Sequence, residues 1–387
     1  VNDFITLNLD LRQFAQDVIH SCEGPDLLMA FWQAITTITV LDPTGGSGAF
    51  IFAALNILEP LYEACLDRME ASLAEWGEEG RKAHPNYHKK FTEVLARVDA
   101  HPNRRYFILK SIILNNLYAV DIMEEAVEIC KLRLFLKLAA QVEPDTTRDN
   151  LGIEPLPDVD FNIRAGNSLV GYATYDEVKH AITSGFDFEK AMEKIEIKTA
   201  DLQQTFDKFR QLQTEGDGSV PAADKVELQK RLSTLEEELN RHLAGEFGIE
   251  VTDKGAYDKW LKSHRPFHWF LQFYGILSHG GFDVIIGNPP YVETEKIDYK
   301  VRGYRTTPCG DLYALCMERS CHLLNPHGLL GMIVPVSIVS TDGFAELRDC
   351  LRKPQNISWS LNFAVRPAKL FVGVEKRLTI WIARQTR

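Results

Sequence analysis

Apolar positions recur along the chain in two periods. Short apolar runs closed by turn residues predict strands at 38–42, 116–121, 162–165, 282–286, 329–334, 358–363 and 377–382. Between them, spacings of three and four predict helices. One runs from Ala49 to Glu70 with Phe52, Leu55, Leu58, Leu61 and Tyr62 on its apolar side; others cover 124–138 and 312–324. Strand and helix alternate, which is the signature of an α/β fold with a mostly parallel sheet, here of seven strands. Pro335 stops the fifth strand, because proline cannot continue a ladder.

The stretch 174–264 breaks this rhythm. It is polar and helical. Leu202, Phe206, Phe209 and Leu212 form one stripe, and Leu228, Leu232, Leu235, Leu239 and Leu243 form another at near-heptad spacing. Glu215-Gly216-Asp217-Gly218 and Pro221 predict a turn between them, hence an inserted antiparallel helical hairpin. The division expected is 1–173 (N-terminal helices and a first half-domain), 174–264 (the insertion) and 265–387 (the second half-domain). The insertion reads either as an arm that contacts DNA or a partner, or as a spacer on the sheet. Its two stripes can bury against each other, so the sheet is expected to stand without it.

Composition adds limits. The chain has 387 residues, 45% hydrophobic and 25% charged, enough for a large core. No apolar run approaches the roughly 20 residues of a membrane span. The opening VNDFITLNLDLRQF has no signal-peptide pattern, and it begins on Val1, as a processed chain or a piece of a longer one would. Seven cysteines without Cys-x-x-Cys or Cys/His ligand spacing argue against a disulfide framework or a zinc site, and no metal is expected. The net charge of -11 speaks against a strongly basic nucleic-acid surface without excluding a local patch.

Four segments carry chemistry. Asp42-Pro43-Thr44-Gly45-Gly46-Ser47-Gly48-Ala49-Phe50 joins a strand to a helix. It lacks the spacing of a phosphate-binding loop, so a small zwitterionic cofactor fits: Asp42 toward its amino group, the glycine-turn N–H groups toward its carboxylate. Asp121, at the end of the next strand, is placed to accept ribose hydroxyls. Gly166-Asn167-Ser168-Leu169 offers an amide for an adenine edge. Asn288-Pro289-Pro290-Tyr291 follows an apolar strand. Its prolines make a rigid turn, on which the Asn288 side-chain oxygen and the Pro289 carbonyl can both accept from one NH2 group while Tyr291 stacks on the plane that carries it.

In this order the motifs resemble class I S-adenosylmethionine-dependent, N6-adenine-specific DNA methyltransferases of the gamma, Asn-Pro-Pro-Tyr type. The resemblance is to those of fused type II restriction–modification enzymes and the related large phage-defence (BREX-like) methylases, and it covers residues 10–382. Phe267-His268-Trp269-Phe270, Asp311 to Leu315 and Leu329 to Pro335 add to it. It implies a Rossmann-like fold, S-adenosylmethionine as cofactor, and methyl transfer to adenine N6 in double-stranded DNA by base flipping. Catalytic residues would be Asn288, Pro289, Pro290 and Tyr291. Cofactor contacts would be Asp42, Pro43, Gly46, Ser47, Gly48, Phe50, Asp121, Ile122, Asn167, Ser168 and Leu169. Restriction or defence-complex subunits are the further partners implied, no membrane is, and the compartment is a bacterial or archaeal cytoplasm.

The family's early aromatic motif is not evident before Phe31, and its target-recognition region is expected outside these residues. Lys296, Lys300, Arg302 and Arg305, with Arg348, Arg352, Lys353, Arg366 and Lys369, read either as DNA-facing or as a solvated surface. Two other functions stay open on the residues. One is the same chemistry on RNA adenine or protein glutamine; the other is a non-catalytic DNA-binding or scaffolding subunit. The long insertion and Phe267 to Phe270 favour the DNA enzyme.

Overall fold

The computed structural model describes residues 10–101, 103–142, 144, 146–147, 151, 156–182, 188–214, 222–352, 357–365, 370–371 and 375–384. Strands β1 (Val40–Asp42), β2 (Leu117–Asp121), β3 (Ile163–Ala165), β4 (Phe282–Gly287), β5 (Leu324–Pro335), β6 (Ile357–Phe363) and β7 (Leu378–Arg384) form one sheet in the order β3-β2-β1-β4-β5-β7-β6. β3, β2, β1, β4 and β5 pair in parallel; β7 runs antiparallel to both β5 and β6. This is the class I methyltransferase fold that the motif order implied.

β1 is buried at every position, as a parallel strand covered on both faces must be. Side chains alternate across it and β2. Val40, Leu117 and Ala119 join Ile51, Leu55, Tyr62 and Phe107 on one face; Leu41, Tyr118 and Val120 join Trp269, Phe273, Tyr313 and Met317 on the other. Asn116, expected to open β2, instead ties helices to the sheet. Its amide donates to the carbonyls of Ile35 (2.9 Å) and Ile38 (2.7 Å) and accepts from the Tyr62 hydroxyl (2.8 Å).

Several boundaries differ from the expectation. Ile38 caps the helix Pro25–Thr37, so β1 starts at Val40. The helix from Ala49 continues to Ala83, across a non-helical break at Gly77; past Glu70 it still buries Ser72 and packs Leu73 and Trp76 against the core. By length and composition it could cross a membrane. Here it is a core helix, with Ile51, Leu55, Tyr62, Cys65, Leu66 and Met69 under the sheet. β5 begins five residues earlier than expected, at Leu324, where a register shift on β4 lets Phe282 pair with Leu324 and Val284 with Leu329.

The insertion is helical: Tyr175–Ile182, Phe188–Thr214, Ala222–Glu246 and Lys254–His264. Lys198 pairs with Glu238 (2.7 Å) and Asp201 with Arg231 (2.6 Å), which makes the two long helices antiparallel. The turn read at 215–218 and Pro221 lies outside the described residues. The insertion packs on the α/β unit, and its two stripes bury against that unit as well as against each other. Leu202, Phe209, Leu228, Leu235, Leu239 and Leu243 share one buried cluster with Phe161, Val170, Tyr172, Phe270 and Leu271 of the α/β unit. Polar contacts follow the same seam. The fully buried His268 ring bonds Asn240 (3.0 Å) through Nε2 and accepts the Tyr172 N–H (3.3 Å) at Nδ1, while the Tyr172 hydroxyl donates to Glu246 (2.8 Å). Burial pushes the His268 imidazole down to about 3, so it stays neutral as these bonds require.

Candidate active site

Neighbours of β1 lie to one side in β2 and β3 and to the other in β4 and β5. Such a reversal of strand order leaves a crevice at the carboxyl ends, where open α/β sheets bind ligands. Asp42 ends β1, Asp121 ends β2, Asn167 lies two residues past β3 and Asn288 one past β4. The four motifs, up to 246 residues apart in sequence, therefore meet at one edge because four parallel strands deliver them there.

The first turn folds as its glycines demand. Gly46 (φ +50°) and Gly48 (φ +86°) take left-handed backbone, and a Cβ on Gly48 would sit 2.4 Å from Cys130 Sγ. The Gly46 N–H donates to Asp121 Oδ2 (2.8 Å), and Met123 N–H to Asp121 Oδ1 (2.9 Å). Arg133 donates to the Ser47 carbonyl (2.5 Å) and lies 4.4 Å from the Phe52 ring centroid, holding the turn from outside. Gly48→Ala is expected to destabilise the chain by about 2–5 kcal/mol, adding a left-handed backbone penalty to overpacking. Adding Cys130→Ala should recover the overpacking share and not the backbone share, as chemical denaturation of the two variants would show.

Asp42 is 1% exposed. Its Oδ1 accepts the Thr44 N–H (3.1 Å), and Gly287 packs close to it, where a Cβ would approach to 2.9 Å. Among the described residues it has no cationic partner. Burial, with a smaller contribution from the Asp121 charge, pushes its carboxyl up to about 7. A buried carboxylate without a counter-charge is the group a ligand ammonium would satisfy.

A cleft of about 260 Å³ joins the sites. Of the residues expected from sequence, Pro43, Asp121, Ile122, Asn167, Ser168, Leu169, Asn288 and Pro290 line it. Asp42, Gly46, Ser47, Gly48, Phe50, Pro289 and Tyr291 are not on its wall. Thr44, Met123, Tyr299, Leu312 and Cys316 line it too; Thr44 and Leu312 lie in segments read from the sequence, but none of the five was expected as a contact. Leu312 and Cys316 are one helical turn apart after the capping Asp311, a spacing visible in the sequence; nothing local marked Tyr299. Asn167 is held at both ends: its N–H donates to the Arg265 carbonyl (2.8 Å) and its Oδ1 accepts the Leu169 N–H (3.1 Å).

At the Asn-Pro-Pro-Tyr turn, Asn288 is exposed and Tyr291 half-buried. The Tyr291 hydroxyl lies against Asn288 Oδ1 and the Ile333 carbonyl (3.0 Å), and burial pushes it up to about 12. Its ring meets Tyr313 edge-on at 6.4 Å, and Lys376 Nζ sits 5.5 Å from its centroid. The expected basic residues are mostly engaged. Lys296 pairs with Glu293 (2.8 Å) and Arg305 with Glu346 (2.8 Å). Arg302 donates to the Glu246 carbonyl (2.6 Å), and Arg348 to those of Ile338 (3.1 Å) and Thr341 (2.7 Å). The Lys300 ammonium has no partner among the described residues; Lys353, Arg366 and Lys369 lie outside them. No group of three His, Cys, Asp or Glu side chains suited to a metal occurs among the described residues.

A family model described as Eco57I restriction-modification methylase matches residues 115–371, from the start of β2 to beyond β6. The chain belongs to this family. Two curated relatives fit the assignment. RM.MjaORFECS2P of Methanocaldococcus jannaschii, named as a type II restriction enzyme and methyltransferase, is 27% identical over 383 residues, 86% of this chain and 29% of that protein. The type II restriction enzyme and methyltransferase RM.Eco57I of Escherichia coli is 34% identical over 128 residues, 30% of this chain and 12% of that protein. The chain thus spans under a third of the length of either. Among solved structures, the DNA-bound ATP-dependent Type ISP restriction-modification enzyme LlaBIII matches 96% of this chain and 18% of its own at 13% identity, with a TM-score of 0.41.

Proposed function

We propose that this methylase transfers the methyl group of S-adenosylmethionine to N6 of adenine in double-stranded DNA, as the modification part of a restriction–modification system. The observation that carries the reading is the single cleft shared by Asp121, the Asn167–Leu169 segment and Asn288 at the switch point of the sheet.

Bound S-adenosylmethionine supplies a methyl group on a positively charged sulfur. Asp42 would hold its ammonium, which suits a buried carboxylate with no counter-ion. Asp121 would take the ribose hydroxyls on the acceptor sites left beside the Gly46 and Met123 amides, since a carboxylate offers about four. Ile122, Asn167, Ser168 and Leu169 would flank the adenine ring. The rigid turn would do the rest: Asn288 Oδ1 and the Pro289 carbonyl would accept the two hydrogens of the target amine, raising electron density on its nitrogen, and one of those protons would pass to solvent once the new N–C bond has replaced the S–C bond. The half-buried Tyr291 ring stacks on the extruded base and offsets part of the few kcal/mol that unstacking costs.

Radiolabelled methyl transfer to random-sequence duplex DNA, followed by digestion to nucleosides, tests the reading. Label in N6-methyladenine is expected. Label in cytosine derivatives, or only in RNA or protein, would overturn it.

A pH prediction follows from Asp42. In the cofactor-free chain its raised value means that stability from this group, present in acid, is lost as pH rises from about 4 through 7. Cofactor binding runs the other way, because an ammonium needs the ionised form. Affinity should rise about fivefold from pH 6 to pH 7.5 and level off above that as the ligand ammonium gives up its own proton, and Asp42→Asn should flatten the rise. Calorimetric titrations at both pH values measure it.

A further inference from the structure

The Leu169 carbonyl, on the far side of the Asn167–Leu169 wall, accepts the Tyr304 hydroxyl (2.9 Å). That hydroxyl in turn accepts from Arg319 Nε (2.7 Å). Arginine has no acceptor, so the direction is fixed: the phenolic proton must point at Leu169. Arg319 is 5% exposed and Tyr304 8%. The guanidinium also reaches the Gly171 carbonyl (3.2 Å) and the Glu177 carboxylate (3.2 and 3.3 Å), and it lies 5.0 Å from the Tyr304 ring centroid. Its neighbour Glu318, equally buried, accepts the N–H groups of Arg305 (3.0 Å) and Thr306 (2.8 Å), fixing Tyr304 from the other direction.

These two charged residues lie on the helix Leu312–Leu323, whose Leu312 and Cys316 line the cleft. Leu169, Tyr304, Leu312 and Cys316 form one small buried cluster. Burying a full guanidinium is costly unless its bonds are made, and here they are spent on a wall of the cleft rather than on any group within it.

We propose that Arg319 is a positioning residue for the cofactor cleft: through Tyr304 it fixes the Leu169 carbonyl, and with it the wall that would face the adenine. The inference rests on the cofactor reading above.

Tyr304→Phe keeps the ring and removes the hydroxyl; Arg319→Gln removes the donor to it; Glu177→Gln weakens the ion pair while keeping an acceptor for the Ala173 N–H (2.6 Å). The first two should each raise KM for S-adenosylmethionine about tenfold with kcat within about twofold of the parent. Their combination should do no worse than Arg319→Gln alone, because both cut the same chain. Glu177→Gln should change KM less than about threefold. A second measurement needs no cofactor: amide hydrogen exchange at residues 167–170 should quicken about tenfold in Tyr304→Phe and Arg319→Gln. A folded Tyr304→Phe with parental KM and parental exchange would overturn the proposal, as would additive effects in the double variant. If the parent itself binds no S-adenosylmethionine, the cofactor reading fails, while the exchange measurement still decides whether Arg319 and Tyr304 anchor this wall.

Discussion

Asn288→Ala is expected to lower kcat for methyl transfer by about a hundredfold to a thousandfold, the range for removing one preorganised polar group that acts in the transition state. KM for S-adenosylmethionine should stay within about threefold. The split follows from position. Asn288 is exposed at the mouth of the cleft, whereas the groups proposed to hold the cofactor, Asp42 and Asp121, lie at the ends of β1 and β2 and are tied to the glycine turn. Alanine also frees the Tyr291 hydroxyl to donate to Ile333 alone, so the turn itself should persist. Single-turnover assays with DNA beside calorimetry of cofactor binding separate the two quantities. Parental kcat in the variant would remove Asn288 from the chemistry.

Deleting residues 176–264 behind a short linker is expected to abolish the folded state. The deletion uncovers Phe161, Val170, Tyr172, Phe270 and Leu271, all buried against the insertion helices. At about 1.5–3 kcal/mol for each large apolar side chain, the loss rivals the 5–15 kcal/mol by which domains are stable. It also strips His268 of Asn240, Asp160 of Lys225, and Arg319 of Glu177. Circular dichroism should show no cooperative thermal transition. A transition within a few degrees of the parent would mean that the hairpin is a detachable arm after all.

What could be read in the sequence was local. Asp42 to Gly48 and Asn288 to Tyr291 announce themselves because a tight strand-to-helix turn and a proline-locked turn need those residue types at adjacent positions. The strands were found because buried parallel strands are short, continuous apolar runs. The insertion was found as helices, yet which surface its leucine stripes cover is set by Phe161, Tyr172 and Phe270, far from the stripes in sequence and silent about their destination. The same holds for the cations. Arg302, Arg305 and Lys296 look free in a sequence and prove engaged only once Glu246, Glu346 and Glu293 are in place. Tyr299 reaches the cleft from an irregular segment, where no periodicity shows which way a side chain faces.

The central pairing of the sheet has a bearing on synthesis. Val40 on β1 meets Val284 on β4, and the Thr39 hydroxyl bonds Asp283, a partner 244 residues away. At about 5–20 residues per second, a ribosome completes β4 roughly 10–50 s after β1 has emerged. Through that interval β1 can pair with β2 on one side only, leaving Val40 and Leu41 at an open, apolar edge of the kind that templates aggregation. The nascent chain therefore waits with the β4 side of β1 unpaired, and its exposure to aggregation is greatest during that interval.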